Sequence, residues 1–302
     1  MTIWVSGEVL IDLLPEAAVV GGGPANTARA LAKLGHDVEF IDGISRDEYG
    51  KSARKELLHD GVKLTYCLDS EKPTCTARVI LDGSGGATYD FAIEGTATFD
   101  FRQSWLPDPS RYKPSLLHVG TLATIVEPGS LILHEWAMKV GEFAPIVFDP
   151  NVRPSVMGDR DCYVAVVEKW VDISTVVKVS EDDFNWLYPG VPPVEVAKGW
   201  VASGIAIVVI TRGPAGLTAV TADEIQEVAG VKVEVVDTVG AGDTVGAIVA
   251  EAMVEQGVVN LHGNSLHAML DCAAVAAAIT CSRAGAQPPT KSELRAALEK
   301  RA

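Results

Sequence analysis

Short runs of β-branched residues alternate with helical stretches along most of the 302-residue chain, and that alternation limits the fold more than any other feature of it. "IWVSGEVLIDLL" near the N-terminus, then "DVEFIDGI", "SLLHVG", "APIVFD", "TVVKVS" and "AIVVIT", read as strands. The later runs are short and largely apolar, as strands buried on both faces are. Between them "PANTARALAKLG" reads as a helix, with Pro24 in its first turn and Gly35 at its stop. Further helical stretches are expected near 47–60, 128–141, 159–171 and 193–203. This order predicts an α/β fold, a doubly wound and mainly parallel sheet flanked by helices. The chain has no interdomain linker, repeat or low-complexity tract, so 1–302 is expected to be one domain.

One segment departs from the pattern. From about Lys63 to Phe91, "TCTARVILD", the glycine-rich "GSGG" and "ATYDFAI" read as a β-hairpin with alternating faces. Inserted in an α/β core, such a hairpin suits a small β-sheet lid formed by about 9–20 and 63–95. The plainer alternative is a sheet extension that only packs.

Charge narrows the partners. The chain carries 40 acidic and 25 basic residues, a formal charge of −15, and no clustered basic face for nucleic acid or an anionic membrane. Its N-terminus lacks a basic region, and every long apolar stretch is interrupted, so a cytoplasmic protein handling small molecules is expected. Cys67, Cys75, Cys162, Cys272 and Cys281 form no C-x-x-C pair and read as buried small hydrophobes in a reducing compartment. The histidines are scattered without ligand spacing, which argues against a structural zinc site.

Two glycine clusters carry the chemistry. "VKVEVVD" reads as a strand ending at Asp237, and "DTVGAIVAEAMVEQ" as a nearly all-apolar helix that must be buried, so "TVGAG" between them is a tight turn. Glycines there allow close backbone approach, and first-turn amides with the helix dipole suit anionic oxygens such as phosphate. Walker A would need a lysine that this loop lacks, and a G-x-G-x-x-G turn is broken by Val245. Asp243 at the junction is either a helix cap or a base that takes a proton from an attacking hydroxyl beside bound phosphates. The second cluster, "GGGPAN" from Gly21 to Asn26, opens a helix close in sequence to Asp12. Amides, a carboxamide and a carboxylate form the mixture that adjacent sugar hydroxyls ask for; the bland alternative is a turn and helix cap.

"GGGPANTARALAKLG" and "DTVGAGDTVGA" resemble the two signature regions of the ribokinase-like (PfkB) family of sugar kinases. "VSGEVLIDLLP", "FDPNVRPS", "KVSEDDFNWL", "VITRGPAGL" and "CSRAGAQPPT" agree in order, and "GEVLIDLLP" with "DPNVRPS" looks most like the fructokinases. The resemblance implies that Asp12, Gly22, Gly23 and Asn26 hold the sugar hydroxyls and that Asp243 is the catalytic base. It implies an anion hole at the amides of Gly240, Ala241 and Gly242. Thr211, Gly213 and Gly216 would lie along the ATP site together with Gly240 and Gly242. Asp237 and Thr238 would help bind a monovalent cation, expected to be potassium, with Cys281 to Ala286 passing near both that cation and the adenine. A homodimer through the lid also follows. Arg153 and Arg212 are candidates for the positive charge that phosphoryl transfer needs, each with a structural ion pair as the alternative.

The chain departs from the family in three places. Val245 stands where phenylalanine is usual, which is expected to alter packing only. The N-x-x-E motif that orders magnesium-bound water becomes Ser180 and Asp183, unless Glu181 takes the role. The lid "YDFAIEGTATFDF" is only loosely fructokinase-like. The favoured reaction is ATP- and magnesium-dependent phosphorylation of a ketose, fructose at its 6-hydroxyl. The alternatives are 2-keto-3-deoxygluconate kinase, ribokinase or nucleoside kinase and, from other classes, a nucleotide-binding dehydrogenase or a non-catalytic sugar sensor. An acid sugar would need a dedicated cation, yet the sugar-side segments bring Glu8 and Asp12, and the lid offers only Arg78 after Lys72.

Overall fold

The computed structural model describes residues 2–81 and 87–301. In chain order the strands are β1 (Thr2–Ser6), β2 (Leu10–Leu13), β3 (Ala18–Gly21), β4 (Asp37–Ile41), β5 (Gly43–Ser45), β6 (Leu68–Ser70) and β7 (Thr76–Leu81). They continue as β8 (Ala87–Ala92), β9 (Leu116–Gly120), β10 (Ile146–Asp149), β11 (Val176–Ser180), β12 (Ile207–Thr211), β13 (Leu217–Val220) and β14 (Ile225–Val228). The helices are α1 (Gly23–Lys33), α2 (Glu48–His59), α3 (Pro109–Tyr112), α4 (Gly129–Gly141) and α5 (Arg160–Asp172). After them come α6 (Glu181–Leu187), α7 (Pro193–Ser203), α8 (Ala241–Gln256), α9 (Gly263–Cys281) and α10 (Lys291–Glu299).

The large sheet runs β14-β13-β12-β11-β10-β9-β1-β4. Neighbours from β4 to β12 are parallel, and β13 and β14 close the edge antiparallel. Side chains alternate across β1: Ile3 and Val5 point into the core that α1, α8 and α9 cover with Leu31, Val249 and Leu270. Trp4 stacks on Trp136 of α4 on the other face, in a core that also takes in Trp170 of α5 and Trp200 of α7. Each such burial contributes roughly 1.5–3 kcal/mol, which is why the parallel strands read as apolar runs. This is the doubly wound, mainly parallel architecture expected. The winding reverses at β1, with β4 on one side and β9 on the other, and the crevice beyond the carboxyl ends of such strands is where ligands bind.

"IWVSGEVLIDLL" is two strands, not one. β1 ends at Ser6, and β2 belongs to a second sheet ordered β3-β2-β7-β8, the lid of the sequence reading. The chain leaves the main sheet at Gly7, whose φ of 148° few other residues adopt. Asp42 pins the departure by accepting the Val9 amide at 2.9 Å, and Thr98, where the chain returns, donates its hydroxyl to the Val9 carbonyl at 3.0 Å. "DVEFIDGI" likewise breaks at Asp42, whose side chain takes the Gly43 amide at 2.7 Å. The small sheet also takes up less of the chain than the segment 63–95 expected to form a lid. Lys63 bridges to Glu39 of β4 and β6 pairs with β5, so 63–70 extends the main body and only 76–92 joins the small sheet. The "GSGG" turn lies outside the described residues.

"VKVEVVD" forms no strand. Beyond β12 the edge is filled by β13 and β14, and the amides of Val236 and Asp237 both donate to the Cys281 carbonyl, at 2.9 and 3.2 Å. With no ladder neighbour its valines stay exposed, Val235 at 61% and Val236 at 60%. The cysteines are free, but only Cys75 is buried and Cys162 is exposed in the first turn of α5, against the expectation of burial. α9 is long and apolar enough to cross a membrane, yet Leu266, Met269, Leu270 and Ala273 bury it in the core.

Candidate active site

The amino ends of α1 and α8 converge beyond the carboxyl ends of β9 and β10. A side chain at Gly23 would stand 2.8 Å from Thr121 Oγ1, 3.1 Å from Asn151 Nδ2 and 3.2 Å from Asp243 Oδ1. Groups from both helices and from the segments after β9 and β10 therefore converge on one point. Gly240, the N-cap of α8, has φ 78°, and a Cβ there would fall 2.6 Å from that of Ala286. The first-turn amides of α8 are thereby left facing open space.

Asp243 sits in that turn, 8% exposed, with Oδ2 accepting the Asn26 carboxamide at 2.9 Å. The Thr27 hydroxyl donates to the Asp243 carbonyl at 3.3 Å, joining the two helix ends. Burial raises the Asp243 carboxyl to about 6, with the charge of Lys178 and the Asn26 hydrogen bond working against the rise. A carboxylate with a half-point there is ionised at neutral pH and basic enough to accept a hydroxyl proton.

A cavity of about 300 Å³ opens in front of it, lined by Glu8, Asp12, Gly22, Gly23, Asn26, Asn151 and Arg153 together with Gly240, Gly242 and Asp243. Burial raises the Asp12 carboxyl to about 6 and Arg153 opposes the shift. Arg153 is held by backbone: its Nη1 donates to the carbonyls of Asn151 and Val152 at 3.1 and 3.0 Å, and its amide donates to the Tyr163 hydroxyl at 2.9 Å. Its charge is left directed at the cavity's carboxylates. Lys72 pairs with Asp100 and Arg78 is exposed on β7, and neither lines this cavity.

A second cavity of about 840 Å³ is lined by Thr211, Gly213, Gly216 and Ala241 and by apolar groups including Val235, Val245, Ala274 and Cys281. Thr238 and Gly242 line both cavities. Val245 thus faces the second cavity as well as the core, which goes beyond the packing role expected of it. Arg212 also lines this cavity but is drawn to Glu227 of β14 at 3.3 Å.

The strongest electrostatic feature was invisible from the motifs. Lys178 lies mid-strand in β11, 4% exposed, with Nζ 2.9 Å from Asp149 Oδ2. Burial would lower its ammonium, but Asp149 and Asp243 outweigh that and raise it. Its Nζ lies 3.0 Å from where a Cβ on Gly242 would be, beside the amides of the α8 turn. A lysine inside the apolar run "TVVKVS" was the available signal, because lysine is almost never fully buried unless paired. Thr121 and Asn151 were also missed. Both have left-handed backbone, φ 58° and 38°, which is strained for the β-branched Thr121 and readily adopted by asparagine.

The metal expectations fare unevenly. Asp183 forms a capping box with Ser180: its Oδ2 accepts the Ser180 amide at 3.0 Å and its Oδ1 the Val152 amide at 2.8 Å. Both oxygens are committed to backbone and Asp183 lines neither cavity, whereas Glu181 and Asp182 line the second one. Asp149 Oδ1 is buried without a partner, an oxygen available to a hard cation. Asp237 ties two loops, accepting the Val239 amide on Oδ1 at 3.0 Å and the Gly285 amide on Oδ2 at 2.9 Å. That bond brings Thr238 and the 281–286 segment together, as a site shared between them requires.

A family model described as pfkB family carbohydrate kinase matches residues 17–293. A fructokinase from Rhizobium leguminosarum bv. trifolii is 34% identical over 252 residues, covering 79% of this chain and 75% of that protein. Among solved structures, a fructokinase from Xylella fastidiosa with bound ATP superposes with a TM-score of 0.90 at 24% identity, covering 99% of this chain and 98% of that one. A fructokinase double mutant from Vibrio cholerae O395 in a form with fructose, ADP and potassium ion bound has a TM-score of 0.88 at 26% identity and 98% coverage of both chains.

Proposed function

The chain belongs to the pfkB family of carbohydrate kinases, and from that premise we infer that it transfers the γ-phosphoryl group of ATP to the 6-hydroxyl of fructose. The observation that carries the reading is the meeting of the two cavities at Thr238 and Gly242, with Asp243 one residue further on. A sugar in the smaller cavity and a nucleotide in the larger would place the transferring group at the amino end of α8.

Asp12, Asn26 and the amides of Gly22 and Gly23 orient the sugar. Asp243 takes the proton of the attacking hydroxyl as its oxygen bonds to phosphorus. The amides of Gly240, Ala241 and Gly242 receive the charge on the equatorial oxygens, and Arg153 and Lys178 add positive potential. Magnesium, when bound, neutralises charge on the nucleotide phosphates. Its ligand would come from Glu181, the alternative to Asp183, which lines the larger cavity and offers the carboxylate oxygens that suit it. The small sheet closes over the sugar as a lid.

The cavity also selects the substrate. Its lining brings three carboxyl groups, Glu8, Asp12 and Asp243, against Arg153 and a lysine already paired with Asp149. A sugar carboxylate desolvated there would have to compete with the phosphate for Arg153. Fructose is therefore expected to exceed 2-keto-3-deoxygluconate in kcat/KM by about tenfold or more, which is ~1.4 kcal/mol of transition-state discrimination. Steady-state ADP release over a panel of neutral and acid sugars measures it. A preference for the acid sugar would move the protein to that kinase class and make Arg153 its carboxylate partner.

Potassium is expected to raise the rate above that in equimolar tetramethylammonium, because Asp237 and Thr238 stand where the 236–239 and 281–286 segments are tied. Equal rates in the two salts remove the cation from the reading.

A further inference from the structure

We propose that Glu8 is a specificity-determining residue of the sugar site whose carboxyl group hydrogen-bonds one hydroxyl of the bound ketose. The inference rests on the reading of this cavity as a sugar site, and it names a contact that the phosphoryl-transfer chemistry does not require. Glu8 follows directly on Gly7, where the chain leaves β1 for the small sheet, so its position is fixed by both sheets. It is 0% exposed and lines the same cavity as Asp12, Asn26 and Asp243.

The two oxygens of Glu8 are used unequally. Oε2 accepts the Ala123 amide at 3.2 Å, in the turn after β9 that also carries Thr121. Oε1 is buried and has no partner, a costly state for a polar atom unless a ligand or water completes it. Asn26 Oδ1, lining the same cavity, is buried and unpartnered too. Neighbouring protein groups do not supply the missing bond. Asp42 already receives Val9, Gly43 and Thr98, and Arg153, whose charge favours the Glu8 carboxylate, spends Nη1 on backbone carbonyls.

Charge agrees with geometry. Burial pushes the Glu8 carboxyl up to about 8, with its own amide, Ala123 and Arg153 opposing and Asp243 adding to the rise. At neutral pH the group is then mostly protonated and offers one donor and one acceptor, the pair that a hydroxyl can match. An ionised acid there would repel Asp243 and hinder its ionisation; a neutral one does not.

The test is a cycle between residue and substrate. Wild type and Glu8→Met are assayed on fructose, on 1-, 3- and 4-deoxyfructose and on 2,5-anhydromannitol. Wild type should lose rate on each analogue. In Glu8→Met, KM for fructose should rise about tenfold with KM for ATP nearly unchanged, and one analogue alone should lose its penalty, because its missing hydroxyl no longer has a partner to miss. Glu8→Gln keeps the Ala123 bond and a donor toward the cavity, so it should keep that analogue's penalty, and Glu8→Leu repeats the deletion if Glu8→Met does not fold. Wild-type turnover of fructose with every penalty unchanged in the folded deletion variant overturns this inference alone. A wild-type enzyme inactive on all ketoses overturns the functional reading and the inference with it.

Discussion

Asp243→Asn is expected to lower kcat by about 10²–10⁴-fold while the affinities for fructose and ATP change little, the usual cost of losing a general base. The substitution preserves shape and leaves an oxygen to accept the Asn26 carboxamide, so the junction of α1 and α8 should hold. What disappears is the capacity to take the proton of the attacking hydroxyl. Pre-steady-state and steady-state rates, with binding measured separately, distinguish this from a loss of positioning, which would raise KM as well. A variant that keeps more than about a tenth of wild-type kcat would return Asp243 to the role of helix cap.

The same residue sets the acid limb of the pH profile. Asp243 works only when ionised, and burial holds its carboxyl at about 6, so kcat/KM should fall as pH drops through that value. Asp12 is also raised to about 6, and on the proposed reading it holds the sugar best as a carboxylate. Two groups titrating together should make the limb steeper than one proton allows. In Asp243→Asn the residual activity should follow Asp12 alone.

Much of this architecture could be read from local pattern, and the failures share a cause. The buried strands β9 to β12 and the helices between them announce themselves because helices on both faces demand apolar runs. The glycine clusters are legible because backbone approach and helix amino ends are local properties. The break after β1 is not local. β-branched and apolar residues continue through Val9, Leu10 and Ile11, and what ends the strand is Asp42, distant in sequence, binding the Val9 amide. "VKVEVVD" has strong strand propensity and no edge left to pair with. Asp183 lies at the spacing of a metal motif, and its bond to the Val152 amide, 31 positions away, is another contact that local pattern does not announce. Lys178 escaped notice because its partner Asp149 belongs to a neighbouring strand, and only the sheet order brings them together.

That pair supports the second large expected effect. Asp149 is 2% exposed and already has one oxygen without a partner, so Lys178→Met would leave an uncompensated buried carboxylate. Breaking a buried pair from one side costs about 3–5 kcal/mol, far above what methionine's lost packing would explain. Chemical unfolding should register that loss. Replacing both partners, Lys178→Met with Asp149→Leu, should recover most of the stability, since the desolvation of both charges is then no longer paid. Turnover should not recover with it. Lys178 Nζ lies beside Gly242 in the turn where the two cavities join, and Lys178 is the largest influence favouring the ionised form of Asp243. Asp149 raises the Asp243 carboxyl and is removed as well, so in the double variant the two changes oppose each other and the acid limb of kcat/KM should move only slightly, while the plateau should fall. A double variant as active as wild type would make the lysine structural only. A single variant unfolding less than about 1 kcal/mol below wild type would mean that Asp149 finds another partner or a proton, and that the pair contributes little to holding the site.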